Sequence, residues 1–107
     1  MSTISTPALT VSFVATLTAK PEAAEELAAF LGQAAAMAQE EAGTIVWYAL
    51  RTDATTFWVV DAFETEEARQ RHLDGPIPAA LKANAERLLA APPTIRPADV
   101  LAVKSVA

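Results

Sequence analysis

The middle of the chain contains two consecutive segments in which both alternating faces are apolar. They cover residues 44–52 and 55–63, and a two-residue turn at Asp53-Ala54 predicts that they form a β-hairpin. Successive side chains of a strand point to opposite faces of the sheet, and a face in contact with water is normally polar. Because neither face of this hairpin is polar, each face must be covered by other parts of the protein or by a partner.

The turn also predicts how the side chains of the hairpin are divided between its two faces. A register in which Thr52 lies opposite Thr55 puts four residues of interest on one face, namely Tyr48, Phe57, Asp61 and Phe63. The other face then carries both tryptophans, Trp47 and Trp58. We expect helices of the same chain to cover the first face and a partner to cover the second.

Strand and helix patterns on both sides of the hairpin predict the order of the secondary-structure elements along the chain. The predicted elements are a strand over 9–18, a helix over 21–42, a short helix over 66–73, a helix over 76–90 and a weak strand over 94–106. The order β-α-β-β-α-β is that of a ferredoxin-like α+β domain with a four-stranded antiparallel sheet. In this arrangement the helices cover one face of the sheet and leave the other face open.

The length of 107 residues is that of one domain, and residues 9–107 are predicted to form it after a loose arm over residues 1–8. Apolar residues make up 52% of the chain, which is a large share for a domain with so little interior. One small domain cannot easily cover both faces of its sheet. We therefore predict a homodimer in which the open faces of two sheets are buried.

Charge and composition exclude several classes of function. The formal net charge is −5 and the eight Lys and Arg residues are scattered, whereas nucleic-acid binding requires a basic cluster. The absence of cysteine rules out disulfides, iron–sulfur clusters and a thiol nucleophile. A single histidine makes a zinc or non-haem iron site unexpected. The three glycines do not form a flavin or dinucleotide motif. No cofactor is therefore predicted.

The sequence shows no signal for a membrane. Residues 1–17 contain neither Lys nor Arg and so do not resemble a signal peptide, and no apolar run approaches the roughly 18 residues of a membrane helix. The resulting expectation is a cytoplasmic protein with no membrane partner.

His72 and Asp61 are the candidate catalytic residues. His72 is the only side chain whose ordinary pKa is near neutrality, which suits a base that removes a phenolic or quinol proton. The alternative is a structural histidine that caps its helix or bonds to Asp61. Asp61 lies among apolar neighbours and needs partners. It would orient His72 or a substrate hydroxyl, or it would pair with Arg69 or Arg71.

Other polar and aromatic residues are candidates for binding. Substrate-binding candidates are Tyr48, Phe57 and Phe63, which could stack on an aromatic ligand, and Asn84, which could bond a ligand carbonyl. Their alternative roles are those of core residues and, for Asn84, of an exposed surface residue. Trp47 and Trp58 are predicted at the dimer interface, since aromatic residues are enriched in interface cores, with a pocket as the alternative.

Several short motifs resemble the antibiotic biosynthesis monooxygenase family, including its quinol monooxygenases. They are Lys20-Pro21, residues 41–44 (EAGT), Tyr48, residues 57–63 (FWVVDAF), residues 65–68 (TEEA) and His72-Leu73, and together they span roughly residues 10–104. The resemblance implies a dimeric α+β barrel with a small apolar pocket in each subunit. Some members of the family oxygenate aromatic polyketides or quinols without metal, haem or flavin, and others degrade haem.

Departures from the family pattern narrow the expected function. Asp61 stands where many members have Glu, Phe63 stands where many have Trp, and the first strand lacks the Asn of haem-degrading members. Haem degradation is therefore disfavoured. The expected function is cofactor-independent monooxygenation of a small quinol or phenol with His72 as the base. The alternatives are a non-catalytic dimeric barrel, which binds a small apolar ligand or has an accessory role, and a lyase or isomerase that uses the same pocket.

Overall fold

The structure is a computed structural model that describes residues 8–104. Its elements are β1 (Val11–Thr18), a 3-10 turn (Pro21–Ala23), α1 (Ala24–Gln39), β2 (Val46–Asp53), β3 (Thr56–Phe63), α2 (Glu66–Leu73), α3 (Pro76–Leu88) and β4 (Thr94–Asp99). The four strands form one antiparallel sheet in the order β2-β3-β1-β4. The predicted ferredoxin-like α+β fold is therefore confirmed.

The main core lies between one face of the sheet and the helices. Leu27, Leu31, Ala34 and Ala38 of α1 are all buried, as the helical spacing of its apolar residues predicts. The first two of them pack with Leu17 of β1 and with other buried residues of the sheet and α3. Because the stripe on α1 is rich in alanine, we infer that the helix can approach the sheet closely.

The predicted register of the hairpin is wrong by one residue. Tyr48 pairs with Val60 rather than Val59, and the register shifts between Arg51 and Asp53, which leaves an extra residue at the end of β2. The turn begins one residue later than expected, and the Asp53 side chain accepts a hydrogen bond from the backbone N–H of Thr55 at 3.0 Å. The sequence pattern did not reveal this irregularity.

A shift of one residue moves every side chain of β2 to the other face relative to β3. Trp47 consequently shares the helix-covered face with its pairing partner Asp61, and it packs against both α1 and α3 residues of the core. Tyr48 lies on the open face and is 46% exposed. The prediction that Tyr48 shares a face with Asp61, and Trp47 with Trp58, is therefore wrong. The predicted faces of Phe57, Asp61 and Phe63 agree with the structure.

The ends of the domain differ from the expected bounds. The predicted arm over residues 1–8 lies outside the described residues except for its last residue. The last strand was predicted over 94–106, but β4 ends at Asp99, and residues 100–104 contain no strand. Residues 105 and 106 of that predicted strand lie outside the described range. Val100 still donates a backbone hydrogen bond to the Thr10 carbonyl, whereas residues 101–104 are exposed, Leu101 to 94%.

The open face of the sheet is largely apolar. Its central positions are held by Val14 of β1, Trp58 and Val60 of β3, and Tyr48 and Leu50 of β2, and each of these is half-buried or exposed. Within residues 8–104, none of the helices combines the length and the apolar character required to cross a membrane.

Candidate functional site

A small cavity lies between the helix-covered face of the sheet and the helices. Its volume is about 60 Å³, and most of its lining is apolar, with Phe13, Trp47, Val59, Leu81 and Ile95 contributing. Two titratable side chains, Asp61 and His72, also line it. An apolar cavity that contains a few converging polar groups is the usual form of a small-molecule site.

His72 is held between two carboxylates. Its Nε2 lies 3.2 Å from Oδ2 of Asp61, and its Nδ1 lies 2.6 Å from Oε1 of Glu41. The side chains are only 6% exposed for His72 and 3% for Asp61, and 17% for Glu41. The ring also packs against Phe63, with 5.4 Å between the ring centroids. Both nitrogens of the imidazole therefore have a carboxylate partner.

Local sequence signals place these three groups. Helix α2 begins where the Thr65 hydroxyl accepts a hydrogen bond from the backbone N–H of Ala68, and its observed bounds are those predicted. His72 follows in the last turn of this helix and is thereby directed at β3, which carries Asp61. Glu41 follows the end of α1, and the Thr44 hydroxyl donates a hydrogen bond of 2.7 Å to its Oε1.

Asp61 has two partners in the structure. Its Oδ1 accepts a hydrogen bond of 2.8 Å from the backbone N–H of Phe13, and its Oδ2 faces His72. The predicted alternative of pairing with Arg69 or Arg71 is therefore wrong, and the predicted bond to His72 is present. Arg69 instead donates to two backbone carbonyl oxygens and lies over the ring of Phe13.

The pKa of His72 is raised by its two carboxylate neighbours. Burial is the strongest single influence and by itself would lower this pKa, because it disfavours the charged ring. The hydrogen bonds and negative charges of Asp61 and Glu41 together outweigh the effect of burial, so the pKa lies above its ordinary value. The two carboxylates thus favour the imidazolium form, which can donate to both of them, more strongly than solvent favours it around a free histidine.

The other predicted site residues are distributed over several parts of the domain. Phe63 contacts His72, whereas Phe57 is a buried core residue below the guanidinium of Arg51. Asn84 bonds to the carbonyl of Ala80 and to Arg87, in a different recess from the one that contains His72. The structure therefore brings together His72, Asp61 and Phe63, and it does not bring Phe57, Asn84 or Tyr48 to the lining of the His72 cavity.

Sequence reasoning missed two residues of this site. Trp47 lines the cavity but was assigned to the interface because of the register error. Glu41 was recognised only as part of a family motif. The sequence did contain a signal for Glu41. A carboxylate near the negative, C-terminal end of a helix is normally unfavourable, and nothing in α1 itself explains its presence there. The bond to His72 now explains its position. Among the described residues, no group of three or more His, Cys, Asp and Glu side chains is arranged to bind a metal ion.

Comparison with known proteins identifies the family. Residues 10–89 match the family model described as antibiotic biosynthesis monooxygenase. The structure resembles the NE2512 protein of unknown function from Nitrosomonas europaea, with 43% identity, a TM-score of 0.91 and coverage of 95% of this chain and 99% of that one. No curated protein is similar enough to match.

Two further solved structures share the fold. PA3566 from Pseudomonas aeruginosa has 25% identity and a TM-score of 0.75, and the match covers 92% of this chain and 100% of that one. Rv0793 from Mycobacterium tuberculosis has 20% identity and a TM-score of 0.79, with 90% and 99% covered. The family model spans most of the domain, and the observed sheet and helices are those that the family resemblance implies. The chain belongs to the antibiotic biosynthesis monooxygenase family.

Proposed function

We propose that this protein is a monooxygenase that oxidises a small phenol or quinol with O₂, without metal, haem or flavin, in the cavity bounded by Asp61 and His72. One observation carries the proposal: a buried imidazole between two carboxylates forms part of the wall of an otherwise apolar cavity. Titratable groups with perturbed pKa values in a cavity are typical of functional sites. Family membership supports the same class of reaction.

The proposed chemistry begins with proton removal. The hydroxyl proton of the substrate passes to the Asp61–His72 pair, and the resulting phenolate is electron-rich enough to reduce O₂ directly. For an anthrone-like substrate, a ring CH₂ then becomes C=O. One atom of O₂ enters the product and the other leaves as water with the two hydrogens, so the substrate supplies all four electrons that reduce O₂. The protein orients the ring, accepts the proton and excludes water.

Substrate binding requires the cavity to widen. Its volume of about 60 Å³ is smaller than the roughly 150 Å³ of a cavity that is known to accommodate benzene. Ile95 on the edge strand β4 lines the cavity and is 41% exposed, so this side chain can move toward solvent more easily than the buried lining residues. We therefore expect the aromatic ring to enter beside β4.

The proposal includes a homodimer formed by the open faces of two sheets. The apolar residues of this face, with Tyr48 46% and Leu50 48% exposed, leave an apolar surface that a monomer would present to water. Leu101 and Val103 after β4 are further exposed apolar residues. A second copy of the chain supplies a face of matching chemistry, and the family resemblance implies the same assembly.

Oxygen consumption tests the proposed activity. Chelator-treated protein should consume O₂ well above the rate of autoxidation with at least one member of a panel of quinols and anthrone-like phenols. Labelled O₂ should place one labelled atom in the product. The control is the His72→Asn variant at the same concentration. Binding without consumption, seen as a change in the fluorescence of Trp47 in the cavity, would instead favour the non-catalytic barrel.

The pH dependence of oxygen uptake should follow the raised pKa of His72. Because the Asp61–His72 pair must lose its resting proton before it can accept one from the substrate, the rate should increase through a midpoint above about 6.5. The contribution of His72 to stability has the opposite dependence. It is fully present below the unfolded pKa of about 6.5 and is lost as the pH rises through the folded value.

The midpoint can be measured directly. His72 is the only histidine of the chain, so isotope-labelled histidine gives a single ring signal to titrate by NMR. Asp61→Asn removes one of the two carboxylates and should shift the midpoint to lower pH. A midpoint at or below the ordinary value in the unmodified protein would contradict the geometry described above.

A further inference from the structure

We infer that Glu41 is the group through which the buried ring of His72 exchanges protons with solvent, by way of a second, polar recess that does not belong to the apolar cavity. This inference deepens the proposed function and rests on it for its role in turnover. The exchange itself can be measured without any substrate.

The two nitrogens of His72 connect two different environments. Nε2 faces Asp61, which lines the apolar cavity together with the ring itself. Nδ1 faces Glu41, which does not line that cavity and lies 2.6 Å away at Oε1. A proton that arrives at Nε2 can therefore leave the same ring from Nδ1, because an imidazolium carries one proton on each nitrogen.

The recess on the Glu41 side is wide enough to contain water. Its volume is about 270 Å³, against roughly 15 Å³ for the smallest space that holds one water molecule. Its lining includes Glu41, Thr44, Arg71 and His72, so it is more polar than the apolar cavity. The recess provides what the other cavity lacks, which is a polar route between the ring and solvent.

Glu41 connects the ring with this recess, because its side chain lines the recess and is 17% exposed. Its Oε1 is engaged by His72 and the Thr44 hydroxyl, whereas its Oε2 is buried and has no hydrogen-bond partner among the described residues. Buried carboxylate oxygens normally have partners, which include ordered water. In the resting arrangement Oε2 is out of reach of water in the recess, and a rotation of the carboxylate would bring this oxygen into the recess.

The apolar cavity is a poor route for the same proton. Apart from Asp61 and His72, its lining residues have no titratable side chain. A bound aromatic ring would also fill the space that water needs. Without an exit on the other side, the proton taken from one substrate would remain on the Asp61–His72 pair and block the next turnover.

The inferred transfer is balanced at each step. The starting ring is neutral with its proton on Nδ1. Its Nε2 gains the substrate proton through Asp61, and the N–H bond at Nδ1 breaks as an O–H bond forms on Glu41. The ring is left with its proton on Nε2, and a half-turn of the imidazole brings that nitrogen to the Glu41 side before the next turnover. The neutral Glu41 then loses its proton to water in the recess and regains its negative charge.

The titratable and charged groups on the elements around the ring are Asp61 of β3, Glu41 after α1, and Arg69 and Arg71 of α2. Arg71 also lines the recess.

Exchange of the ring protons tests the relay in the full chain without substrate. Glu41→Gln keeps the size of the side chain and an oxygen that accepts from Nδ1, but it cannot carry a proton. We expect exchange between the His72 ring and solvent, followed by NMR on labelled histidine, to slow at least tenfold. The controls are Glu40→Gln, which removes an exposed neighbouring carboxylate, and Asp61→Asn, which changes the charge around the ring without altering the recess.

A second variant distinguishes loss of the proton relay from a change in folding. Glu41→Ala leaves space for added formate, which should restore fast exchange if a carboxylate at this place is what matters. Unchanged exchange in Glu41→Gln, equal slowing in both control variants, or no rescue of Glu41→Ala by formate would each overturn the inference.

Turnover provides an independent readout. If the protein consumes O₂ as proposed, Glu41→Gln should lower kcat at least tenfold with little change in KM, because proton release follows substrate binding. If no substrate of the panel is consumed, the proposed function is in doubt, and the exchange measurement still decides whether Glu41 is the proton exit. Slow exchange with unaltered kcat would overturn the role of the relay in turnover.

Discussion

Oxygen uptake should fall by about 10²- to 10⁴-fold when His72 is replaced by alanine, the usual contribution of a positioned general base. The physical reason is that, among residues 8–104, His72 is the group that connects Asp61 to a second proton acceptor. Its removal leaves Asp61 as an isolated carboxylate at the wall of the cavity. A carboxylate without the imidazole is a much weaker base toward a phenol than the pair is.

Alanine at this position should also reduce stability. Asp61 and Glu41 would lose the imidazolium that compensates their charges, and breaking a buried ion pair typically costs about 3–5 kcal/mol. Thermal unfolding must therefore be measured with the activity. His72→Asn separates the two effects, because the amide of asparagine can still donate to Glu41 but cannot act as a base.

The base assignment requires that His72→Asn remains folded and loses uptake to a similar degree as alanine. A folded His72→Asn protein with full activity would show that His72 has a structural role. Loss of stability in both variants with normal activity per folded molecule would give the same conclusion. Imidazole added to His72→Ala provides a further control, since partial recovery of uptake would be expected only for a missing base.

Trp58→Arg should convert the proposed dimer to a monomer at micromolar concentration. Trp58 lies at the centre of the open face, between Leu50 on β2 and Thr16 on β1, and its indole N–H donates to the Thr52 hydroxyl at 3.0 Å. In the single subunit the residue is only half-buried, so arginine can point into water and the fold should survive. At a dimer interface the same arginine would be buried without a partner.

An uncompensated buried charge costs about 3–5 kcal/mol, which raises the dissociation constant at least about 100-fold. Light scattering and sedimentation give the mass directly. Gln33→Arg is the matched control, because it introduces the same charge at an exposed position of α1 on the other side of the domain. A stable Trp58→Arg dimer, or a wild-type monomer, would remove the open face as the interface.

Local patterns in the sequence predicted most of the fold. Helix α2 was predicted with its observed bounds because Thr65 caps it, its first turn is acidic, and Asp74-Gly75-Pro76 ends it, all of which are signals between near neighbours in sequence. The alanine-rich stripe of α1 and the alternation of β1 likewise identified buried faces. The strand predicted after residue 99 is absent from residues 100–104, because β4 pairs with β1 only as far as Asp99 and residues 101–104 are exposed.

The sequence by itself determined the order of elements, the open apolar face and the importance of Asp61 and His72, since each depends on residue type and local spacing. Tertiary structure alone decided the register of the hairpin and the contact between Glu41 and His72. The first depends on one irregular residue before the turn, which shifts Trp47 to the cavity and Tyr48 to the open face. The second joins residues 31 positions apart. Periodicity describes neighbours along one element, whereas the meeting of α1, β3 and α2 depends on how whole elements pack.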